Sequence, residues 1–197
     1  MKLVIASNNI KKRQEIMSIL KLLNIDFLSA EETTFVDVVE DGDTFAANAR
    51  KKAEAFAKAN QFAALADDSG LSVPALGNEP GVYSARYAGE QASDLENYTK
   101  LLKNMHDQDN RYAYFSCALH LSFPKEEQCI TAEAISEGQI LTAAQGQEGF
   151  GYDPIFFSKD LQKCFALCSA QEKASISHRG RALRLLLDKI PKHSFTL

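Results

Sequence analysis

Five apolar residues, Phe62-Ala-Ala-Leu-Ala66, run directly into Asp67-Asp68-Ser69-Gly70. The apolar run predicts a buried strand, and the two carboxylates are expected to end it at its tip. A carboxylate pair at a strand tip in an α/β chain is well placed to hold a divalent cation through oxygen ligands. Successive strand side chains point to opposite faces. Asp67 and Asp68 therefore divide the work, one facing a site and the other fixing a loop or a backbone donor. The plainer alternative is a polar turn, since Asp, Ser and Gly are ordinary turn residues.

The chain opens on a similar strand-to-loop transition. Residues 2–6 read as an apolar strand and Ser7-Asn8-Asn9 as a turn. A helix follows, with Ile16, Ile19, Leu20 and Leu23 at i, i+3, i+4 and i+7. A polar loop before a helix N-terminus favours an anion through free N–H groups and the helix dipole. Lys11 and Lys12 in the first turn oppose that dipole unless one of them faces an anion. A second strand is expected near Asp26-Phe-Leu-Ser29. An acidic loop, Val36 to Asp43, leads into a helix from Thr44 to about Asn60. On that helix Phe45, Ala49, Lys52 and Phe56 share one stripe. A lysine within an apolar stripe either snorkels to solvent or meets a partner such as a phosphate.

Further on, Ser93-Asp-Leu-Glu96 is a capping box. It is expected to open a helix with Leu95, Tyr98, Leu102 and Met105 on one face. Strict alternation from Arg111 to Phe123 predicts a long half-buried strand, with Tyr112, Tyr114, Ser116, His120 and Ser122 largely on its polar side. Pro124-Lys-Glu-Glu turns the chain, and 128–137 reads as an antiparallel return, so the sheet is mixed. Gly146-x-x-Gly149-Phe150-Gly151-Tyr152-Asp153-Pro154 is a glycine-dense loop. Glycines there can mean only a tight turn. The loop also carries an aromatic face beside a carboxylate, which stacking on a base and reading its edge would use. Lys173, Ser177, His178 and Arg179 precede a helix with Leu183, Leu186, Leu187 and Ile190 inward.

Several of these blocks together resemble the inosine triphosphate pyrophosphatase family. They are Ala6-Ser-Asn-Asn9 with Lys12 and Glu15, Thr44-Phe45-x-x-Asn48-Ala49 with Lys52-Ala53, and Asp67-Asp-Ser-Gly-Leu71 running on to Pro80-Gly-Val-Tyr-Ser-Ala-Arg-Tyr-Ala-Gly89. Gly149-Phe-Gly-Tyr-Asp-Pro-Ile-Phe156 and Lys173 with Ser177-His-Arg-Gly180 complete the set. The resemblance spans residues 3 to about 187. It implies hydrolysis of dITP, ITP and XTP to the monophosphate and pyrophosphate, cleansing the nucleotide pool. It implies Mg²⁺ held by Glu40 and Asp68, with Asp68 also catalytic. The substrate contacts it implies are Ser7, Asn8, Asn9, Lys12, Lys52, Ser69, Phe150, Gly151, Tyr152, Asp153, Lys173, His178 and Arg179. Relatives are usually homodimers. The chain departs from the family at Lys11, where Gly is usual, and at Ala47, where Glu is usual. Loss of that glutamate removes a capping-box partner of Thr44 and weakens the start of its helix.

The fold class expected is α/β, a mixed twisted sheet with flanking helices and two lobes around a central substrate cleft. Residues 1–197 are taken as one nucleoside-triphosphate pyrophosphatase domain. That length and a hydrophobic content of 45% suffice for a sizeable core. A net charge of −4 and no basic stripe argue against a nucleic-acid polymer as partner. No apolar run has the length of a membrane span. The opening run is too short for a signal peptide, and Cys117, Cys129, Cys164 and Cys168 lack zinc-type pairing. A reducing cytoplasm is the expected compartment. A non-catalytic nucleotide-binding module is the competing reading, and the metal-type carboxylates Glu40, Asp67 and Asp68 favour the enzyme.

Overall fold

The computed structural model describes residues 2–21, 25–125 and 129–190. The sheet is mixed, ordered β2-β1-β3-β5-β6-β7-β8 with β4 on β3. β1 (Lys2–Ile5) pairs in parallel with β2 (Asp26–Phe27) and β3 (Ala63–Val73), while β4 (Glu79–Pro80) joins β3 antiparallel. β5 (Tyr112–Ser122) and β6 (Cys129–Ile140) follow. β7 (Phe156–Ser158) then pairs antiparallel with β6 and with β8 (Lys163–Cys164). The helices are α1 (Ile10–Leu20), α2 (Phe45–Asn60), α3 (Asp94–Asn104), α4 (Ala170–Ile176) and α5 (His178–Lys189).

The chain forms two compact units. The first comprises 1–68, 117–134 and 179–197, the second 69–116 and 135–178. In the first, α1 and α5 bring Ile16, Leu20, Leu183 and Leu186 onto Leu3, Ile5, Leu65, Cys117, Leu119 and Leu121. Ala53, Phe56 and Ala57 of α2 cover Val4, Ala6, Ala64 and Ala66. The β1 and β3 side chains alternate between these two groups, as the two-residue period of a strand requires. The second unit packs Leu71, Val73, Leu101, Met105, Phe115, Ile140, Tyr152, Phe156 and Phe165 together.

Three sequence expectations need correction. β3 does not end at Ala66 but runs through both carboxylates to Val73. Partners for both carboxylates and, further on, for the backbone N–H of Leu71, which donates to Ser84 Oγ at 2.9 Å, outweigh the turn tendency of Asp-Asp-Ser-Gly. The alternation of β5 holds only to Ser116; Ala118, His120 and Ser122 are buried as well. His120 lines a cavity together with Ala46, Ala47 and Arg50 of α2. On α3 the capping box forms as expected, but Leu95 is exposed and Leu101 takes its place inside. α2 begins at Phe45 despite Ala47, because Thr44 Oγ1 still accepts from the Ala47 N–H at 3.1 Å. β2 and β6 differ from expectation by a few residues at their ends. The positions of Leu23 and of 126–128 lie outside the described residues.

Candidate active site

β3 delivers Asp67 and Asp68 to opposite faces within the first unit. Asp67 is fully buried. Its Oδ2 accepts from Arg179 Nη2 at 2.8 Å and Nε at 3.1 Å, and lies 3.7 Å from Lys12 Nζ. Arg179, 1% exposed in the first turn of α5, also donates to Glu15 of α1. Burial alone would raise the Asp67 acid, but the Lys12 and Arg179 charges overcome it and hold the carboxyl well below the usual range. Asp67 thus fixes side-chain cations from two helices.

Asp68 faces α2. Its Oδ2 accepts from Asn48 Nδ2 at 3.0 Å, and its Oδ1 lies 3.9 Å from Lys52 Nζ. Lys52 donates to Glu40 Oε2 at 2.7 Å. Burial pushes the Asp68 acid upward and Glu40 adds to it, against the lowering pull of Lys52 and Lys12. Burial acts to lower the Lys52 ammonium, but Asp68, Asp67 and Glu40 together hold it above its ordinary value. The lysine on the apolar stripe has therefore found carboxylate partners.

The turn before α1 forms as expected. Asn9 caps α1 by accepting from the Lys12 N–H at 3.1 Å, and Ser7 Oγ accepts from the Asn9 N–H at 3.3 Å. Ser7 is buried and Asn8 exposed, and Lys12 stands in the first turn.

Glu40 and Asp68 offer hard carboxylate oxygens to a shared neighbour, Lys52. Among the described residues no group of three or more His, Cys, Asp or Glu forms a complete metal cage. Mg²⁺ is commonly bound by one or two carboxylates plus substrate phosphates and water, so this donor set fits it.

The second unit carries the glycine-dense loop. Gly149 has φ +80°, and a Cβ there would lie 2.1 Å from Asp153 Oδ2, so the position requires glycine. Asp153 is buried; its Oδ2 accepts from the Phe150 N–H at 2.8 Å and from Lys173 Nζ at 2.6 Å. Lys173 Nζ also stands 4.6 Å from the Phe150 ring centroid, a cation–π contact. The Gly151 N–H donates to Asp94 Oδ2 at 2.8 Å, and Tyr152 OH donates to the Ser84 carbonyl at 2.8 Å. Tyr152 is thereby a buried strut of the loop. His178 stacks on Phe115, centroids 4.8 Å apart and planes 12° from parallel. Ser69 is half-buried on β3 in this unit, and Ser177 is buried between α4 and α5.

Glu40, Lys12, Lys52, Asp68 and Arg179 thus gather in the first unit, and Phe150, Gly151, Tyr152, Asp153, Lys173 and His178 in the second. Arg179 was expected among the substrate contacts, and its guanidinium is engaged by Asp67 and Glu15. Sequence reasoning left Asn48, Glu15 and Asp67 without an assigned place in the site. The signal for Asn48 was its position four residues before Lys52, on the same helix face.

The model of the Ham1 family matches residues 3–189. The dITP/XTP pyrophosphatase of Clostridium perfringens is 47% identical over 199 residues, covering 96% of this chain and 97% of that protein. That of Leuconostoc mesenteroides is 48% identical and covers 97% of each. Among solved structures, a HAM1 protein from Coxiella burnetii superposes with TM-score 0.86 at 40% identity, covering 94% of this chain and 96% of that one. The Staphylococcus aureus Ham1 protein gives 0.85 at 41%, covering 95% and 97%.

Proposed function

Because the chain belongs to the Ham1 family, we propose that it hydrolyses dITP, ITP and XTP to the nucleoside monophosphate and pyrophosphate, removing deaminated purines from the nucleotide pool. The observation that carries this reading is the carboxylate–lysine cluster. Asp68 and Glu40 flank Lys52, Lys12 stands at a helix start, and Asp67 is held in its ionised form.

Asp68, and Glu40 with it, would hold Mg²⁺, which when bound offsets phosphate charge in the transition state. Asp68 orients or deprotonates the water that attacks the α-phosphorus in line. Lys12, Lys52 and the backbone near Ser7-Asn8-Asn9 hold the phosphates. Lys52 exchanges Glu40 for them, and Lys12 stands 3.7 Å from Asp67 Oδ2.

The base is read by Phe150, which offers its ring, and by Lys173 and His178 as donors to O6; the Phe150 and Gly151 N–H groups are taken by Asp153 and Asp94. Ser69 of β3 is a further substrate contact. Arg179 reaches the base only by exchanging Glu15 or Asp67 for it. Residues 1–197 are read as one pyrophosphatase domain on length and composition, in a reducing cytoplasm on cysteine usage, and as a homodimer on the family resemblance. No described helix is long and apolar enough to cross a membrane.

Pyrophosphate release from ITP with and without Mg²⁺, followed by turnover in ¹⁸O-water, tests the reading. Label is expected in the monophosphate; label in pyrophosphate, or no Mg²⁺ dependence, would overturn it.

A further inference from the structure

Asn48 is 1% exposed, on the α2 face that carries Lys52 one turn later. Its amide spans two backbone segments. Oδ1 accepts from the Gly42 N–H at 2.8 Å, and Nδ2 donates to Asp68 Oδ2 at 3.0 Å. The direction is forced at one end, because a backbone N–H can only donate. The amide oxygen must face Gly42, so the NH₂ group must face the carboxylate.

Gly42 is shaped for this contact. A Cβ built there would lie 2.6 Å from Asn48 Oδ1 and 2.9 Å from the Ala47 Cβ, so any side chain would push the loop off the helix. Glu40 lies two residues before Gly42. One buried amide therefore ties the loop that carries Glu40 to the strand residue Asp68. Lys52 makes a second bridge between the same segments, from Glu40 Oε2 to Asp68 Oδ1. That bridge is cationic and is drawn away when Lys52 turns to a phosphate. The Asn48 bridge is neutral and buried, and it stays.

We propose that Asn48, with Gly42, is a positioning residue that sets the separation and aim of the Glu40 and Asp68 carboxylates for the divalent cation. The inference rests on the metal-ligand reading of those two carboxylates. Hydrogen-bond partners of metal-ligating carboxylates typically matter by about 10- to 100-fold in metal affinity or activity.

The test uses the full chain as wild type, Asn48→Ala, Gly42→Ala and Asp68→Asn. Mn²⁺ binding is followed by electron paramagnetic resonance without nucleotide, and ITP turnover is measured across Mg²⁺ concentrations. Asn48→Ala and Gly42→Ala are expected to bind Mn²⁺ roughly 10-fold more weakly or worse. Both should need correspondingly more Mg²⁺ for half-maximal turnover, with KM for ITP at saturating Mg²⁺ unchanged. A merely structural role would lower the melting temperature without that shift in metal requirement. Wild-type Mn²⁺ affinity in folded Asn48→Ala overturns the proposal. Should Asn48→Ala fail to fold, wild-type affinity in Gly42→Ala overturns it, since that variant keeps the asparagine and displaces only the loop. Undiminished binding in Asp68→Asn would instead sink the metal-ligand reading itself, which keeps the two failures apart.

Discussion

Replacing Asp67 by Asn leaves shape nearly intact and removes one charge from the interior. Asp67 is fully buried and Arg179 is 1% exposed, so water cannot take over the guanidinium. Arg179 Nη2 and Nε, at 2.8 and 3.1 Å, would face a neutral amide in place of a carboxylate. Removing one partner of a buried ion pair costs about 3–5 kcal/mol, because the other charge stays buried and uncompensated. Glu15 remains on Nη1, and an amide oxygen can still accept one bond, so the lower end of that range applies. For a chain of this size each kcal/mol lowers the melting temperature by about 2–4 °C. A loss of about 3 kcal/mol therefore predicts a fall of roughly 6–12 °C. Thermal unfolding at neutral pH, followed by circular dichroism and by calorimetry, measures it. Adding Arg179→Met should return part of the loss, because the buried guanidinium is gone and the charges left behind, Glu15 and Lys12, are partly exposed. A single variant melting within about 2 °C of wild type, where one kcal/mol already shifts as much, would show that the pair does not act as a buried charge pair.

Asp68→Asn keeps a carbonyl ligand but loses both charge and basicity. Its turnover of ITP should fall about 10²–10⁴-fold with the fold retained, measured as pyrophosphate release beside circular dichroism. Selectivity should place ITP and XTP well ahead of ATP and GTP in kcat/KM. Lys173→Met should lose most of the margin over ATP, since a donor aimed at O6 meets the 6-amino group of adenine unpaired; equal use of ATP and ITP by the wild type would refute the pocket assignment. Glu172 is lowered to about 2 by Lys163 and by the backbone N–H and hydroxyl of Ser169. A carboxyl depressed in the folded state stabilises fully above its ordinary value of 4.5 and loses that contribution as pH falls toward 2. Glu172→Gln should therefore melt with a shallower dependence on pH between those values, and an unchanged slope would count against the cap and ion pair at α4.

The sequence by itself determined the local elements and the order of the chemistry along the chain. Ser93 and Glu96 set the start of α3, Asn9 and Thr44 capped their helices, and the apolar spacing of α1 and α5 chose their buried faces. These depend on residues within a turn or two of each other, which a sequence displays directly. The substrate class was legible because the motif blocks stand in one order over nearly the full length. Tertiary structure alone decided what each charge faces. Asp-Asp-Ser-Gly has the composition of a turn, and it is strand because Arg179, Lys12, Asn48 and Lys52 arrive from α5, α1 and α2 to satisfy its carboxylates. His120 and Ser122 alternate as if exposed, yet both are buried. Arg179 and Asp67 stand 112 residues apart, and no local pattern announces that they meet. A buried ion pair exists only as a relation between distant segments, and that relation is created by packing.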